Sequence, residues 1–373
     1  MRIAWFCHSL ISDWNNGHAH FLRGVVSELL ARRTSVRVFE PEAAWSADNL
    51  LRERGPAAIA EFEAAFPHLR SRRFDPAALD LDEALDGVDL VVVHEWNEPE
   101  LIAAIGHRRA RGAPFRLLFH DTHHRSVSDP EALERRDLSG YDGVLAFGDV
   151  VRDIYLERSW AQRAWTWHEA ADTRVFKPEF DQEVAGDLVW IGNWGDDERT
   201  RELTEFLLDP VRDLRLRANA YGVRYPDEAI GKLARAGVNY RGWIANYRVP
   251  RVFARHSATV HVPRRPYAQA LLGIPTIRVF EALACAVPLI AANWQDSGGL
   301  FRPGHDFLVA HSGTDMKRQM KRLLGDAQLS RELSRNGLAA IRSGHTCGHR
   351  VAELLRIAAE LGVTAAEERV GSA

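Results

Sequence analysis

The chain has 373 residues, room for two ordinary domains, and its 46% apolar and 27% charged residues make a normal globular balance. A formal net charge of −3 leaves no broad basic field for nucleic acid, and three cysteines, none in a C-x-x-C pair, exclude a disulfide framework and fit a reducing compartment. No apolar run approaches the ~20 residues of a membrane helix, and the chain enters a strand at once without a signal peptide, so a cytoplasmic location is expected.

Arg2–Cys7 reads as the first strand. A polar loop from His8 to Asn16 leads to Gly17-His18-Ala19-His20, which opens a helix to about Arg33 with Phe21, Val25, Leu29 and Leu30 on its apolar face. Val36–Phe39 is the next strand, so the opening is a Rossmann-like unit. It lacks G-x-G-x-x-G, and no dinucleotide cofactor is indicated. Residues 41–85, rich in Ala, Glu and Arg, read as helical. Strands follow at 89–94, 115–119, 143–147 and 163–167. Ala171–Pro178 is a turn with a buried aromatic and a proline stop, and Glu179–Gly186 is a charged linker. The alternation restarts with strands at 188–191, 214–217, 238–240, 258–261 and 289–292. After Phe307–Val309 come helices near 315–324, 329–342 and 349–361, and the tail from Thr364 is expected to fray.

The stretch from Gly273 to Asn293 organises the second half. Pro275 and Thr276 start a helix whose stripe is Ile277, Phe280 and Ala284, and Pro288 stops it before a short buried strand. Glu281 lies a turn and a half inside. The N-terminus of such a helix suits a diphosphate and the carboxylate suits ribose hydroxyls; an ordinary αβ unit with a solvated Glu fits the same pattern. Gly192-Asn193-Trp194-Gly195, with Arg199 and Arg201 beyond it, offers close backbone approach and guanidinium donors for phosphate, or else a charged helix start. Trp243 and Ile244 end one strand, while Arg264 and Arg265 end another, where open α/β sheets bind ligands. Trp243 fits core packing as well, and the two arginines fit plain surface charge. His120, Asp121, His123 and His124 are metal-ligating types, but their spacing matches no strong metal motif, and no metal is expected. No G-x-S-x-G elbow is present.

Arg278, Phe280, Glu281, Ala282, Ala284 and Cys285 resemble the donor-binding helix of GT-B glycosyltransferases of the family-4 type, most closely the CgeB-like branch; many relatives have Gly where this chain has Ala286. Asp172, Phe176 and Pro178 resemble the segment that closes the first GT-B domain. The resemblance implies an α/β fold of two Rossmann-like domains facing an interdomain cleft. The first is 1–178 plus a terminal helix at 349–373 crossing back to it; the donor domain is 187–348. It implies transfer of a sugar from a nucleoside diphosphate sugar to an acceptor hydroxyl, with retention of configuration, without metal or other cofactor. The acceptor is a glycan, a lipid-linked sugar or a small molecule, the lipid-linked case bringing peripheral membrane contact.

Catalytic positions carried over are His120, Arg199 and Glu281. Donor contacts are Gly17, Gly192, Asn193, Trp243, Ile244, Arg264, Thr276, Ile277, Arg278 and Glu281. The wider family pattern is Glu-x7-Glu, and its first Glu falls on Gly273. That departure supports the alternative of a non-catalytic nucleotide-sugar or glycan-binding protein on the same fold. A metallohydrolase built on the His120 run is the third reading.

Overall fold

The computed structural model describes residues 1–180 and 182–363; the expected frayed tail lies outside them, as does the end of the 349–373 segment. Contacts divide the chain into two compact units: Met1–His168 together with the chain from Cys347 on, and Glu169–Thr346.

The first unit is built on seven parallel strands: β1 (Arg2–Phe6), β2 (Ser35–Pro41), β3 (Ser71–Phe74), β4 (Leu90–His94), β5 (Arg116–Asp121), β6 (Gly143–Ala146) and β7 (Ala164–Thr166), in the spatial order β3-β2-β1-β4-β5-β6-β7. Parallel sheets are covered on both faces, which is why β4 is a continuous apolar run, Leu-Val-Val-Val-His, buried at every residue. The helix His18–Ala31 follows β1, and the last helix, Cys347–Glu360, packs against it. Trp167 Nε1 fastens that last helix by donating to the Arg350 carbonyl at 2.8 Å.

The second unit has six parallel strands: β8 (Gly186–Ile191), β9 (Ala218–Tyr221), β10 (Val238–Tyr240), β11 (His256–His261), β12 (Leu289–Ala292) and β13 (Leu308–Ala310), in the order β10-β9-β8-β11-β12-β13. Side chains alternate strictly across this sheet. Leu188, Trp190, Val260 and Ile290 feed one core, while Val189, Ile191, Leu289 and Ala291 feed the other. Each unit is thus a doubly wound α/β layer, the fold class expected, with a reversal of strand order between β1 and β4 in one and between β8 and β11 in the other. Among the described residues no helix is long and apolar enough to cross a membrane.

Two expected elements differ. The 41–85 stretch is not helical throughout: helices at Trp45–Arg54, Ala57–Ala65 and Leu81–Leu85 bracket β3. Its sequence, Ser-Arg-Arg-Phe, hides the strand because an edge strand needs only one buried residue, Phe74. The strand expected at 214–217 lies at Ala218–Tyr221 instead. Leu214 ends a helix and Arg215 is left-handed at φ 54°, so the alternating leucines belong to a helix end and a turn.

Candidate functional site

In open α/β sheets ligands lie beyond the carboxyl ends of strands, at the point where strand order reverses. In the second unit that point is flanked by Gly192 and Asn193 after β8 and by His261 and Arg264 at and after the end of β11. The backbones crowd here: a Cβ on Gly222 would lie 2.0 Å from the Gly192 carbonyl oxygen. Arg199 curls back over this turn. Its guanidinium donates to the carbonyls of Asn193 at 2.8 Å and Val262 at 3.1 Å and to the Asn193 side-chain oxygen, and stacks on Trp190 with Cζ 5.1 Å from the ring centre. Arg264 reaches the same Asn193 oxygen at 3.3 Å and pairs with Glu198 at 2.7 Å. Burial and the neighbouring Arg264 pull the Arg199 pKa down to about 9, the mark of a cation held with little compensating charge. Asn193, Arg199 and Arg264 therefore come together as the sequence suggested. Arg265 does not join them: it pairs with Glu202 at 2.9 Å and lines a separate hollow of about 300 Å³ with Pro263, Gln269 and His311.

The helix Ile277–Ala284 supplies the other wall. All its residues except Arg278 are buried, so Glu281 is not the solvated residue of the simpler pattern. The Glu281 carboxylate accepts from Arg278 Nη1 at 2.5 Å and from Asn246 Nδ2 at 3.1 Å. A carboxylate offers about four lone-pair sites, and both of its oxygens are used here by Arg278 and Asn246. The helix closes with a Schellman motif: Val287 N–H bonds Ala282 O and Ala286 N–H bonds Leu283 O, with Ala286 left-handed at φ 55°. That conformation explains why glycine suits position 286 in relatives.

The start of the helix holds a surprise. Thr276 does not cap it with its side chain; its hydroxyl meets His261 Nε2 at 3.1 Å instead. The Ile277 N–H is taken by the carboxyl of Glu169, which burial, the nearby Glu281 charge and opposing help from Arg278 leave with a pKa of about 8. His261 is held neutral, its pKa lowered to about 3 by burial and by Arg199 and Arg278. It thus stands within electrostatic reach of both cationic groups. Glu169, Asn246 and His261 were not singled out from the sequence; only His261, ending a strand, carried a signal. Trp243 and Ile244 sit after β10, following Gly242 at φ 73°, and Ile244 packs on the second core.

The Glu169 carboxyl makes a pH prediction. Its folded pKa is raised, so between about pH 4.5 and 8 the native chain keeps a proton that the unfolded chain has lost. Stability then falls as pH rises through that window, by up to ~1.4 kcal/mol per pH unit for this group. Glu169→Gln should flatten the melting-temperature profile there; profiles of equal slope would refute the shift.

In the first unit Gly17 is exposed at the start of the helix His18–Ala31. His120 is buried at the end of β5. The run His120-Asp121-His123-His124 is pulled apart: the Asp121 carboxylate accepts from Tyr155 at 2.7 Å and the His123 N–H at 3.0 Å, and His124 Nδ1 meets Ser128 at 2.8 Å. His120 faces His18 and His94 instead, ring centres 5.0 and 5.5 Å away, in a box walled by Trp5, Phe21 and Trp167.

Residues 199–356, most of the second unit and part of the last helix, match a family model described as glycosyl transferase-like. No curated protein sequence matches the chain. Among solved structures, a sucrose-phosphate synthase from Thermosynechococcus elongatus is similar with TM-score 0.68 at 15% identity, over 97% of this chain and 99% of that one. HepE from Anabaena, in complex with UDP and glucose, gives 0.66 at 15% over 95% and 99%. An alpha-glucosyltransferase in complex with UDP and a 13-mer DNA containing a HMU base gives 0.68 at 11% over 96% and 99%. At these identities the structural likeness shows the fold, that of GT-B glycosyltransferases. Together with the family match it supports a glycosyl transferase-like chain; neither comparison singles out the CgeB-like branch.

Proposed function

We propose that the chain is a glycosyltransferase that moves a sugar from a nucleoside diphosphate sugar to an acceptor hydroxyl, with retention of configuration and no metal in the transfer step. The observation that carries this reading is the second unit's switch point. There, two guanidinium groups converge on Asn193, and a helix start and a buried Glu281 stand beside them. Arg199 spends its donors on oxygens that carry no formal charge, which suits a cation awaiting a diphosphate, and Arg264, paired with Glu198, stands beside it. The leaving diphosphate oxygen helps deprotonate the acceptor on the same face of the sugar, and the protein supplies orientation and charge stabilisation. Arg199 and Arg264 take the role a divalent ion has elsewhere. The acceptor is a glycan, a lipid-linked sugar or a small molecule, not nucleic acid, and the reaction is cytoplasmic.

A thermal-shift panel of UDP, GDP, dTDP and ADP sugars tests the donor site. UDP sugars come first, since structural relatives hold UDP. A ligand at 100 times its dissociation constant adds ~2.7 kcal/mol of stability. If no nucleotide moves the transition, the assignment fails. Turnover that stops in chelator and returns with magnesium or manganese would overturn the metal-free step. The second reading, a non-catalytic nucleotide-sugar binder, is favoured by Gly273. Its φ is 86° and a Cβ there would lie 2.2 Å from Ser297 Oγ, so the first Glu of the pattern has no room. A nucleotide-sugar that binds yet is neither transferred nor hydrolysed would select that reading.

A further inference from the structure

The first unit gathers three histidines, His120 among them, in a cluster that the second unit's switch point does not include. His94 ends β4 and His120 lies on β5 as its register partner, so the two stand side by side on one face of neighbouring strands. His18 opens the helix that follows β1, the strand on the other side of β4. The topology therefore brings all three to the carboxyl edge where strand order reverses. Each offers one ring nitrogen, and these atoms lie within 4.8 Å of one another. All three side chains are more than nine-tenths buried. Both ring nitrogens of His18 and both of His120 are buried without a hydrogen-bond partner. Such orphaned groups are costly and call for an explanation. His94 is held at both nitrogens, Nδ1 accepting from the Trp96 N–H at 3.4 Å and Nε2 lying 2.9 Å from the Thr122 hydroxyl, so one of these contacts gives way when the ring turns to an ion.

We propose that His18, His94 and His120 form a binding site for one divalent transition-metal ion of the zinc class. Three imidazoles without a carboxylate suit zinc, cobalt, nickel or copper, and select against magnesium, calcium and manganese, which prefer oxygen. Zinc–nitrogen bonds of ~2.0–2.1 Å in a tetrahedron set the nitrogens about 3.3 Å apart, so the rings close inward on binding. His18 now lies stacked on His94, centres 3.8 Å apart at 11°, and must turn to share one ion with it. The aromatic walls of Trp5, Phe21 and Trp167 form the dry outer shell that strengthens such a site. Three neutral nitrogens leave one position of a tetrahedron open. The ion pins the helix start to β4 and β5, and this role does not rest on the transfer reaction proposed above.

The test uses the full chain, stripped by chelator and equilibrated with zinc alone, then with cobalt alone. Elemental analysis should return one zinc per chain, and cobalt should give the visible absorption of a low-coordinate nitrogen site. Magnesium and manganese should not compete. His18→Ala and His18→Gln should each weaken binding about a hundredfold or more, since loss of a direct ligand costs more than the roughly 10–100-fold that loss of a supporting group costs. His124→Ala, outside the trio, should bind as wild type does. Circular dichroism of the metal-free proteins identifies any variant that fails to fold, and the other His18 variant then decides. Zinc below a fifth of an equivalent, on the order of background, or binding unchanged in the folded His18 variants overturns the site.

Discussion

Glu281→Gln should weaken nucleotide binding about tenfold or more, at 1.4 kcal/mol per decade. In the reading proposed above, the carboxylate held by Arg278 and Asn246 is also the ribose acceptor, and hydrogen bonds to a charged acceptor are worth ~1.5–3 kcal/mol. Gln keeps the volume and an acceptor for Asn246, but presents a second donor to Arg278, whose side chain is only 15% exposed. The melting temperature should fall too, so affinity is measured well below it. A 2′,3′-dideoxy nucleotide separates the two effects. Wild type should bind it poorly, while the variant should hardly distinguish it from the normal nucleotide. Equal discrimination by both proteins would remove Glu281 from the ribose.

Gly273→Glu should destabilise the second unit without raising turnover. The left-handed φ of 86° costs a side chain ~1–2 kcal/mol, and the Cβ crowded by Ser297 adds ~1–3 kcal/mol of overpacking. Pairing it with Ser297→Gly should return the overpacking part alone, read as a partial recovery of melting temperature. A Gly273→Glu protein that melts like wild type and turns over faster would mean that the chain lost the first Glu of the pattern recently and retains room for it.

The fold was legible because parallel strands announce themselves: β4 and the Leu289–Ala292 strand are short apolar runs bounded by turn signals. The edge strand β3 and the small-residue strand Ala218–Tyr221 carry no such run, and were misplaced for that reason. The candidate site was half legible. Asn193, Arg199, Arg264 and Glu281 stand on strand ends or a helix stripe, where local pattern and resemblance agree. Glu169 and Asn246 come to the helix from 112 and 35 residues away, and only the folded chain juxtaposes them. The histidine trio shows the same limit from the other side. Sequence neighbours His120, Asp121, His123 and His124 suggested a cluster, but successive strand residues point to opposite faces. The partners of His120 are 26 and 102 residues back.

The discontinuity of the first unit has a consequence for synthesis. The second unit, Glu169–Thr346, is one unbroken segment of 178 residues, whereas the first lacks the helix that covers His18–Ala31 until Cys347–Glu360 has been made. At roughly 5–20 residues per second, the ribosome takes roughly 10–40 s to supply that helix after His168 is made. Through that interval the Trp167 indole lacks the Arg350 carbonyl that accepts its N–H. The first unit is therefore the part of the chain completed last, and a stop codon before Cys347 should leave the second unit folded and the first one destabilised.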